Sequence, residues 1–388
     1  MRRMKAFVFT SVLLALSILT GTATAQKVVK IAFLGPLTGS VANFGIGARN
    51  SFDLAIREAN KSGQLKFKLE GVALDDEANP ATGVAAATKV VSDSDIVAAV
   101  GHFNSPVALA TIHVFHRAGV PIVLWGTTDP SITKKYNYPE VTRVLPTMDV
   151  QSLVASEFAF NKGYKVWAII HDSSDYGKKA KEDFSTAIEA LGAKVISIDS
   201  VQPGEKDFMP ILTKIKQLQP QAIFAGVVIP DGALIRLQMK KLGMENVFYI
   251  GPSGITDVKF NEIAGDAAEG TVSIHPGVFL EKIPKGRKFL ESYKEAGYKE
   301  PVSAAGDVAY DSANIVIEAL KKVGPNKKEL AKAIRNISYD GVRGMISFDE
   351  FGQTKLRAVT VMVSQSGKWI PWEDSDYAKG LKKLPGQR

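Results

Sequence analysis

Short apolar runs alternate with longer amphipathic stretches along most of the chain. VVKIAFLG (28–35) is apolar but for one lysine, the pattern of a strand buried on both faces. FGIGARNSFDLAIREANKSG (44–63) places its apolar residues at helical spacing and stops at a glycine. FKLEGVALDD predicts the next strand and NPATGVAAATKVVSD the next helix; DIVAAVG, SPVALATIHVFHRAG and VPIVLWG continue the rhythm. After VTRVLPT it restarts. VQSLVASEFAFNKG, KVWAIIHD, YGKKAKEDFSTAIEALG, AKVISIDSV, FMPILTKIKQL, QAIFAGV, DGALIRLQMKKLG and NVFYIGP alternate helix and strand again. Repeated β-α units predict parallel, doubly wound sheets, here two of similar size. The C-terminal part departs from this pattern: RKFLESYKEAG, SAAGDVAYDSANIVIEALKKVG and NKKELAKAIRNIS predict three helices in succession, then VRGMISFDEFG and LRAVTVMVSQSGKW two strand-like runs. Two strands cannot cover three helices. These helices are therefore expected to pack back onto the first two sheets, with the chain crossing between lobes more than once and leaving a cleft.

In open parallel sheets, ligands bind beyond the carboxyl ends of the strands. The turns to inspect are GPLTGSVANFG, DDEANP, GHFNSP and WGTTDPS in the first half, and HDSSDYG, VVIPDG and GPSGITD in the second. The first-half turns are rich in Gly, Ser, Thr and Asn, with few fixed positive charges. That chemistry suits a carboxylate held by neutral donors and helix dipoles rather than by Arg. GHFNSP is the sharpest case. Asn104, Ser105 and Pro106 fit a helix start, where Ser and Asn cap free N–H groups and Pro costs nothing. The same free N–H groups attract an anion.

Length and composition agree with this picture. The chain has 388 residues, more than one core usually supports, with 45% hydrophobic and 23% charged residues. MRRMKAFVFTSVLLALSILTGTATA reads as a secretory signal with an A-x-A site, so the mature chain is expected to start at Gln26, after cleavage behind Ala25. The apolar run is too short for a lasting anchor, and no later stretch reaches bilayer length. With no Cys there are no disulfides and no lipid-attached N-terminal cysteine, so stability must come from a large core. The formal charge is +8, of which Arg2, Arg3 and Lys5 belong to the leader. The remaining lysines are scattered along helices with acids interspersed, as in KKAKED, and read as solvated faces; with export, this argues against nucleic acid.

Enzyme signatures are scarce. GIGARN is only G-x-G-x-x-N and lies inside a helical stretch, and there is no Walker A loop, H-E-x-x-H or G-x-S-x-G. His113 and His116 lie three apart on one helix, but no neighbouring Cys or acid completes a metal site, and packing is the better reading. His171-Asp172 ends a strand with no nucleophile paired to it. Asn336-Ile337-Ser338 is a weak sequon. No catalytic group, metal or cofactor is expected.

The signal followed by KIAFLGPLTGSVANFG and LDDEANPATGVAAATKVV resembles the type I periplasmic binding proteins, more narrowly the leucine/isoleucine/valine-binding receptors of ABC transporters. VGHFNSPVALA, PIVLWGTTDPSIT, AIIHDSSDYGKKAKEDF, GEKDFMPILTKIK and FYIGPSGITDVKFNEIAGDAAEG continue the likeness in order over the mature chain. The resemblance implies an α/β fold of two Rossmann-like doubly wound lobes joined by a three-crossover hinge. Lobe 1 would comprise 27–146 plus 275–352, and lobe 2 147–274 plus 353–388. A ligand α-carboxylate would be held by the hydroxyls of Ser105 and Thr128 and by backbone groups of Gly126 and Thr127, Ser105 also capping its helix. Phe44 stands where relatives carry an aromatic that covers the ligand, and Tyr176 would close from the second lobe. Phe103 and Trp125, flanking the polar turns, fit pocket wall or core equally.

Two departures bear on the ligand. Ser253 stands where amino-acid-binding relatives place an acid against the ligand's ammonium, and Val228 where a second-lobe aromatic is expected. A hydroxyl cannot neutralise a buried cation. Either Asp257, Asp307 or Asp231 supplies the countercharge, each also a possible helix cap and Asp231 above all, or the ligand has no amine. The disulfide of some relatives is also missing. The resemblance thus implies a periplasmic, monomeric receptor that catalyses nothing, binds a branched-chain or related amino acid between closing lobes, and delivers it to an ABC permease. The alternatives are an amine-free aromatic or aliphatic acid as ligand, and a sensory role reporting to a membrane kinase or chemoreceptor. An enzyme on the same scaffold would need a nucleophile, base or cofactor site.

Overall fold

A computed structural model describes residues 27–303 and 305–387; the leader expected at 1–25 lies outside the described residues. The first part runs β1 (Val28–Gly35), α1 (Ala42–Ser62), β2 (Lys68–Asp75), α2 (Pro80–Ser92), β3 (Ile96–Val100), α3 (Ser105–Ala118), β4 (Ile122–Leu124), α4 (Ser131–Lys134) and β5 (Val141–Arg143). The second runs α5 (Met148–Asn161), β6 (Val166–Asp172), α6 (Asp175–Ala190), β7 (Lys194–Val201), α7 (Met209–Gln217), β8 (Ala222–Gly226), α8 (Asp231–Lys241), β9 (Phe248–Gly251), α9 (Val258–Ala264) and β10 (Val272–His275). The rest comprises α10 (Pro284–Glu295), α11 (Gly306–Val323), α12 (Lys327–Arg335), β11 (Ser338–Gly341), β12 (Gly344–Ser347), β13 (Thr360–Gln365) and β14 (Lys368–Pro371).

Two doubly wound sheets result. The first has the order β2-β1-β3-β4-β5 and is parallel throughout. The second has the order β14-β13-β10-β9-β8-β6-β7; β6 to β10 are parallel and β13 and β14 form an antiparallel edge. Each sheet is covered on both faces, which explains the continuous apolar strands. Along β1, Ile31 and Phe33 pack with α1 and α11, while Ala32 and Leu34 pack with α2 and α3. The second sheet repeats this: Ala168 and Ile170 face one core and Trp167 and Ile169 the other.

The C-terminal helices pack back, but onto the first lobe and not onto both sheets: Val308 and Ile315 of α11 and Leu330 of α12 join the core under α1, and Phe289 and Tyr293 of α10 pack on Leu54 of α1. The two strand-like runs are each half of the story. β12 pairs with β11, which overlaps the last predicted helix only at Ser338 and otherwise lies in a stretch assigned to no element, and LRAVTVMVSQSGKW folds back on itself into β13 and β14. Its turn at Ser366-Gly367 has φ of 53° and 76°, the left-handed conformation a tight hairpin demands. The elements α4, α9 and β10 were not expected; all are seven residues or fewer, too short to establish a period.

The chain passes between the sheets after β5, after β10 and before β13. The first and third passages are tied together: Arg143 N–H donates to the Gly352 carbonyl (2.8 Å) and Thr354 N–H to the Arg143 carbonyl (2.9 Å). The fully buried Arg143 side chain donates to Gln353 Oε1 (2.6 Å), and Gln353 Nε2 to the Leu145 carbonyl (2.8 Å).

Rigid cores make each sheet a unit. Phe184 stacks on Phe224 with ring centroids 3.9 Å apart and meets Trp167 edge-on at 5.0 Å. Phe184→Ala is expected to cost about 3–5 kcal/mol through lost burial and the cavity left behind, read as a lower urea midpoint with an unchanged slope.

Candidate functional site

The carboxyl ends of both sheets face one cavity of about 510 Å³. It lies at both topological switch points. In the first sheet β1 and β3 are neighbours, and their chains leave in opposite senses, to α1 and α3; in the second, β6 and β8 play the same part. The first wall carries Phe44, Glu77, Phe103, Asn104, Ser105, Gly126 and Leu145. The second carries Asp172, Asp175, Tyr176, Gly204, Val228, Asp231, Ser253, Gly254 and His275. All seven turns singled out in the sequence have residues at the cavity. The expectation omits the Pro203-Gly204 turn behind β7 and the end of β10, and it passes no judgement on Glu77 or Asp175.

On the first wall, the start of α3 leaves hydrogen-bond donors unused. Asn104 is the N-cap, but its side chain makes no cap bond. The first intrahelical bond is from Ala108 N–H to the Asn104 carbonyl (3.1 Å), so the amides ahead of it lie open at the positive end of the helix. Ser105 does not cap the helix as expected. Its Oγ instead accepts the Thr128 N–H (3.3 Å) and the Asp129 N–H (3.4 Å), binding the β3 and β4 turns together. Both contacts use the oxygen as acceptor, which leaves the hydroxyl proton for a group in the cavity. Asn104 Oδ1, Thr127 Oγ1 and Thr128 Oγ1 are buried with no hydrogen-bond partner among the described residues. Gly126 lines the cavity, but Thr127 and Thr128 lie behind it. A Cβ at Gly126 would sit 2.6 Å from the Phe103 backbone, so only glycine lets the two turns meet.

Aromatic rings form the apolar part. Phe44 stacks on Phe103 at 4.5 Å, and both line the cavity. Trp125, equally open to either reading, is core: it is fully buried, stacks on Phe33 at 5.7 Å and donates its indole N–H to the Leu34 carbonyl (3.1 Å). From the second wall, the Tyr176 hydroxyl accepts the Gly254 N–H (3.0 Å) and pairs with the Ser253 side chain; burial pushes the phenol well above its usual range. Gly254 is needed here too, since a Cβ would meet that hydroxyl at 2.6 Å and Val228 at 2.8 Å.

The acids sort differently from expectation. Asp257 and Asp307 do not line the cavity. Asp257 caps α9 by accepting the Lys259 N–H (2.9 Å) and sits beside the Asn43 side chain. Asp307 is buried in an ion pair with Arg343, whose Nη2 donates to Oδ1 at 2.7 Å. Asp231 does line it, and it is not the cap of α8: that position is Pro230, and Asp231 Oδ2 accepts the Gly204 N–H (2.8 Å). Burial raises Asp231 to about 6, with the nearby Asp172 adding to the rise, and burial raises Asp172 as well. Four carboxylates thus line the cavity: Glu77, Asp172, Asp175 and Asp231. No lysine or arginine is among the described lining residues, and His275 is held neutral, its pKa lowered to about 3 by burial and by Arg343.

The histidines outside the cavity are structural. His113 bonds the Tyr138 hydroxyl (2.9 Å), His116 pairs with Glu140 (2.7 Å), and His171 bonds the Asp172 carbonyl (2.8 Å).

Comparison with known proteins gives consistent results. A sequence model described as periplasmic binding protein matches residues 28–368. The leucine-, isoleucine-, valine-, threonine- and alanine-binding protein of Pseudomonas aeruginosa is 31% identical over 340 residues, 87% of this chain and 90% of its own. The branched-chain amino acid transporter substrate binding protein LivJ of Streptococcus pneumoniae, solved with isoleucine, superposes with a TM-score of 0.81 at 25% identity, covering 88% of this chain and 98% of that one. An ABC transporter solute binding protein from R. palustris, solved with benzoate, has a TM-score of 0.80 at 20% identity over 89% of this chain and 95% of that one, a likeness of fold alone.

Asp307→Ala is expected to lower stability by about 3–5 kcal/mol, because it takes the charge partner from a buried guanidinium. The ligand preference of the folded protein should not change. Denaturant unfolding and a competition titration measure the two separately.

Proposed function

Since the chain belongs to the periplasmic binding protein family, whose members bind a solute and do not transform it, we propose that it is the receptor of an ABC importer and takes a branched-chain or related amino acid between its lobes. One observation carries this reading, the polarity of the cavity. Its first wall offers neutral donors and the positive end of α3, with the exposed Glu77 as its one acid; its second offers three carboxylates, Asp172, Asp175 and Asp231, and no lysine or arginine is among the described lining residues. A zwitterion lies across such a cavity with its carboxylate toward Ser105 and Gly126, backed by Thr128, and its ammonium toward the second wall. An amine-free acid would add a negative charge to a cavity already lined by acids. Phe44, Phe103, Tyr176 and Val228 leave room for an aliphatic side chain between the two ends. Branched-chain amino acids named for the Pseudomonas and Streptococcus relatives point the same way.

The mechanism is closure. Val41 and Phe44 of the first lobe join one apolar cluster with Val227, Ile229 and Ile255 of the second, and Lys134 faces Asp149 across the cleft (3.7 Å). A ligand touching both walls shifts the open–closed balance by its extra affinity for the closed form. The moving units are read as 27–146 plus 275–352 and 147–274 plus 353–388. The exported protein is read as cleaved after Ala25 and as a monomer, presenting both lobes to the permease.

A second reading has specific support. The Phe44–Phe103 stack and the hydroxyl at Ser253 suit an aromatic acid without an amine, and a benzoate-bound protein shares the fold. A thermal-shift screen of mature protein decides. Leucine, isoleucine and valine at about a hundred times Kd should add about 2.7 kcal/mol, while 4-methylpentanoate and benzoate at equal concentration should not. Stabilisation by benzoate or 4-methylpentanoate alone would establish the second reading.

A further inference from the structure

We propose that Asp231 is the cation-binding residue of the cavity, the group that pairs with the ligand's ammonium and sets the preference for an amine-bearing solute. The inference rests on the amino-acid reading above and names the residue that makes it work. Asp231 is 1% exposed at the β6/β8 switch point, on the second wall. Its two oxygens differ. Oδ2 accepts the Gly204 N–H, while Oδ1 is buried with no hydrogen-bond partner among the described residues. A buried carboxylate with an unserved oxygen is costly and needs a donor, preferably a charged one. The titratable groups around it are Asp172 from the end of β6, Glu205 and Lys206 from the loop after β7, and the buried, neutral Tyr249 of β9. Two are acids, and Lys206 is exposed to solvent. An ammonium in the cavity supplies both the missing hydrogen bond and the missing charge.

The other acids are engaged or solvated. Asp172 Oδ1 accepts both the N–H (2.9 Å) and the hydroxyl of Ser174. Glu77 and Asp175 are exposed, where a carboxylate is served by water. Ser253 carries no charge; its N–H goes to Gln151 Oε1 (3.1 Å) and its hydroxyl to Tyr176.

The test is calorimetric titration of the mature protein with leucine and 4-methylpentanoate. Asp231→Asn keeps size and shape. It should weaken leucine binding by roughly a hundredfold or more and collapse the preference for leucine over 4-methylpentanoate toward one. A structural role alone would lower both affinities and keep the preference. A second measurement uses the unaltered protein in case the variant does not fold. The free carboxyl titrates near 6, and an ammonium beside it would hold it ionised. Leucine binding at pH 6 should then release a proton, up to about half per ligand, visible as a buffer-dependent heat that vanishes by pH 8. Leucine binding to Asp231→Asn within threefold of the unaltered protein overturns the proposal, and so does the absence of proton release at pH 6. If the unaltered protein ignores amino acids and binds only 4-methylpentanoate or benzoate, the amino-acid reading falls and takes this one with it.

Discussion

A charged solute drawn out of water must find fixed partners inside the protein, or the desolvation cost exceeds anything that apolar contact returns. Much of the architecture follows from this. Parallel strands all end on one edge of their sheet, and each is followed by a helix whose first amides point back to that edge. Two such sheets set edge to edge bring turns and helix starts from both lobes to a single cavity. No Lys or Arg is required to receive a carboxylate there. The start of α3 leaves donors open at the cavity, and the hydroxyl of Ser105 is held beside them by two amides of the β4 turn.

In the proposed mechanism, division of labour between lobes makes binding and closure one event. On the proposed reading neither wall alone satisfies a zwitterion: the buried polar groups are donors on one side and acids on the other. Only the closed arrangement brings both to the same solute, so ligand affinity for the closed form exceeds that for the open one, as a population shift requires. The apolar contact of Val41 and Phe44 with the second lobe adds surface burial to that arrangement. The hinge must allow the motion without losing register. Arg143 and Gln353 bind the first and third passages to each other through backbone and side chain.

Most of the fold was legible because buried parallel strands are apolar runs and their helices are amphipathic, periods that survive without any tertiary knowledge. Short elements were not legible. β10 has four residues, and the hairpin of β13 and β14 depends on backbone angles at Ser366 and Gly367. The site was legible as a set of turns, and Phe44, Phe103, Ser105, Gly126, Tyr176, Val228 and Ser253 all meet at the cavity. What the sequence could not show is which way an acid points. Asp257, Asp307 and Asp231 each sit at or near the start of a helix and look alike as letters. Asp257 found a local partner and caps its helix through the Lys259 N–H, whereas the fates of the other two were decided by partners remote in sequence, Arg343 for Asp307 and Gly204 for Asp231. Trp125 was settled in the same way, by the Leu34 carbonyl.

The two walls use one structural device with opposite sign. Both α3 and α8 follow a parallel strand at a switch point and direct a helix start at the cavity. At α3 the leading residues are Asn104, Ser105 and Pro106, neutral groups that leave the positive helix end to act on the ligand. At α8 they are Pro230 and Asp231, and the acid stands in front of the helix end and reverses the local charge. The dipole that attracts an anion at α3 here lowers the cost of keeping Asp231 ionised. Burial works against it and holds the acid near 6 rather than at its usual value. A carboxylate poised in this way is anionic at neutral pH yet only weakly compensated by the protein, and that makes the arrival of a cation favourable. On the proposed reading, selectivity for an amine comes less from a tight fit around the solute than from an internal charge that the protein alone leaves incompletely paired.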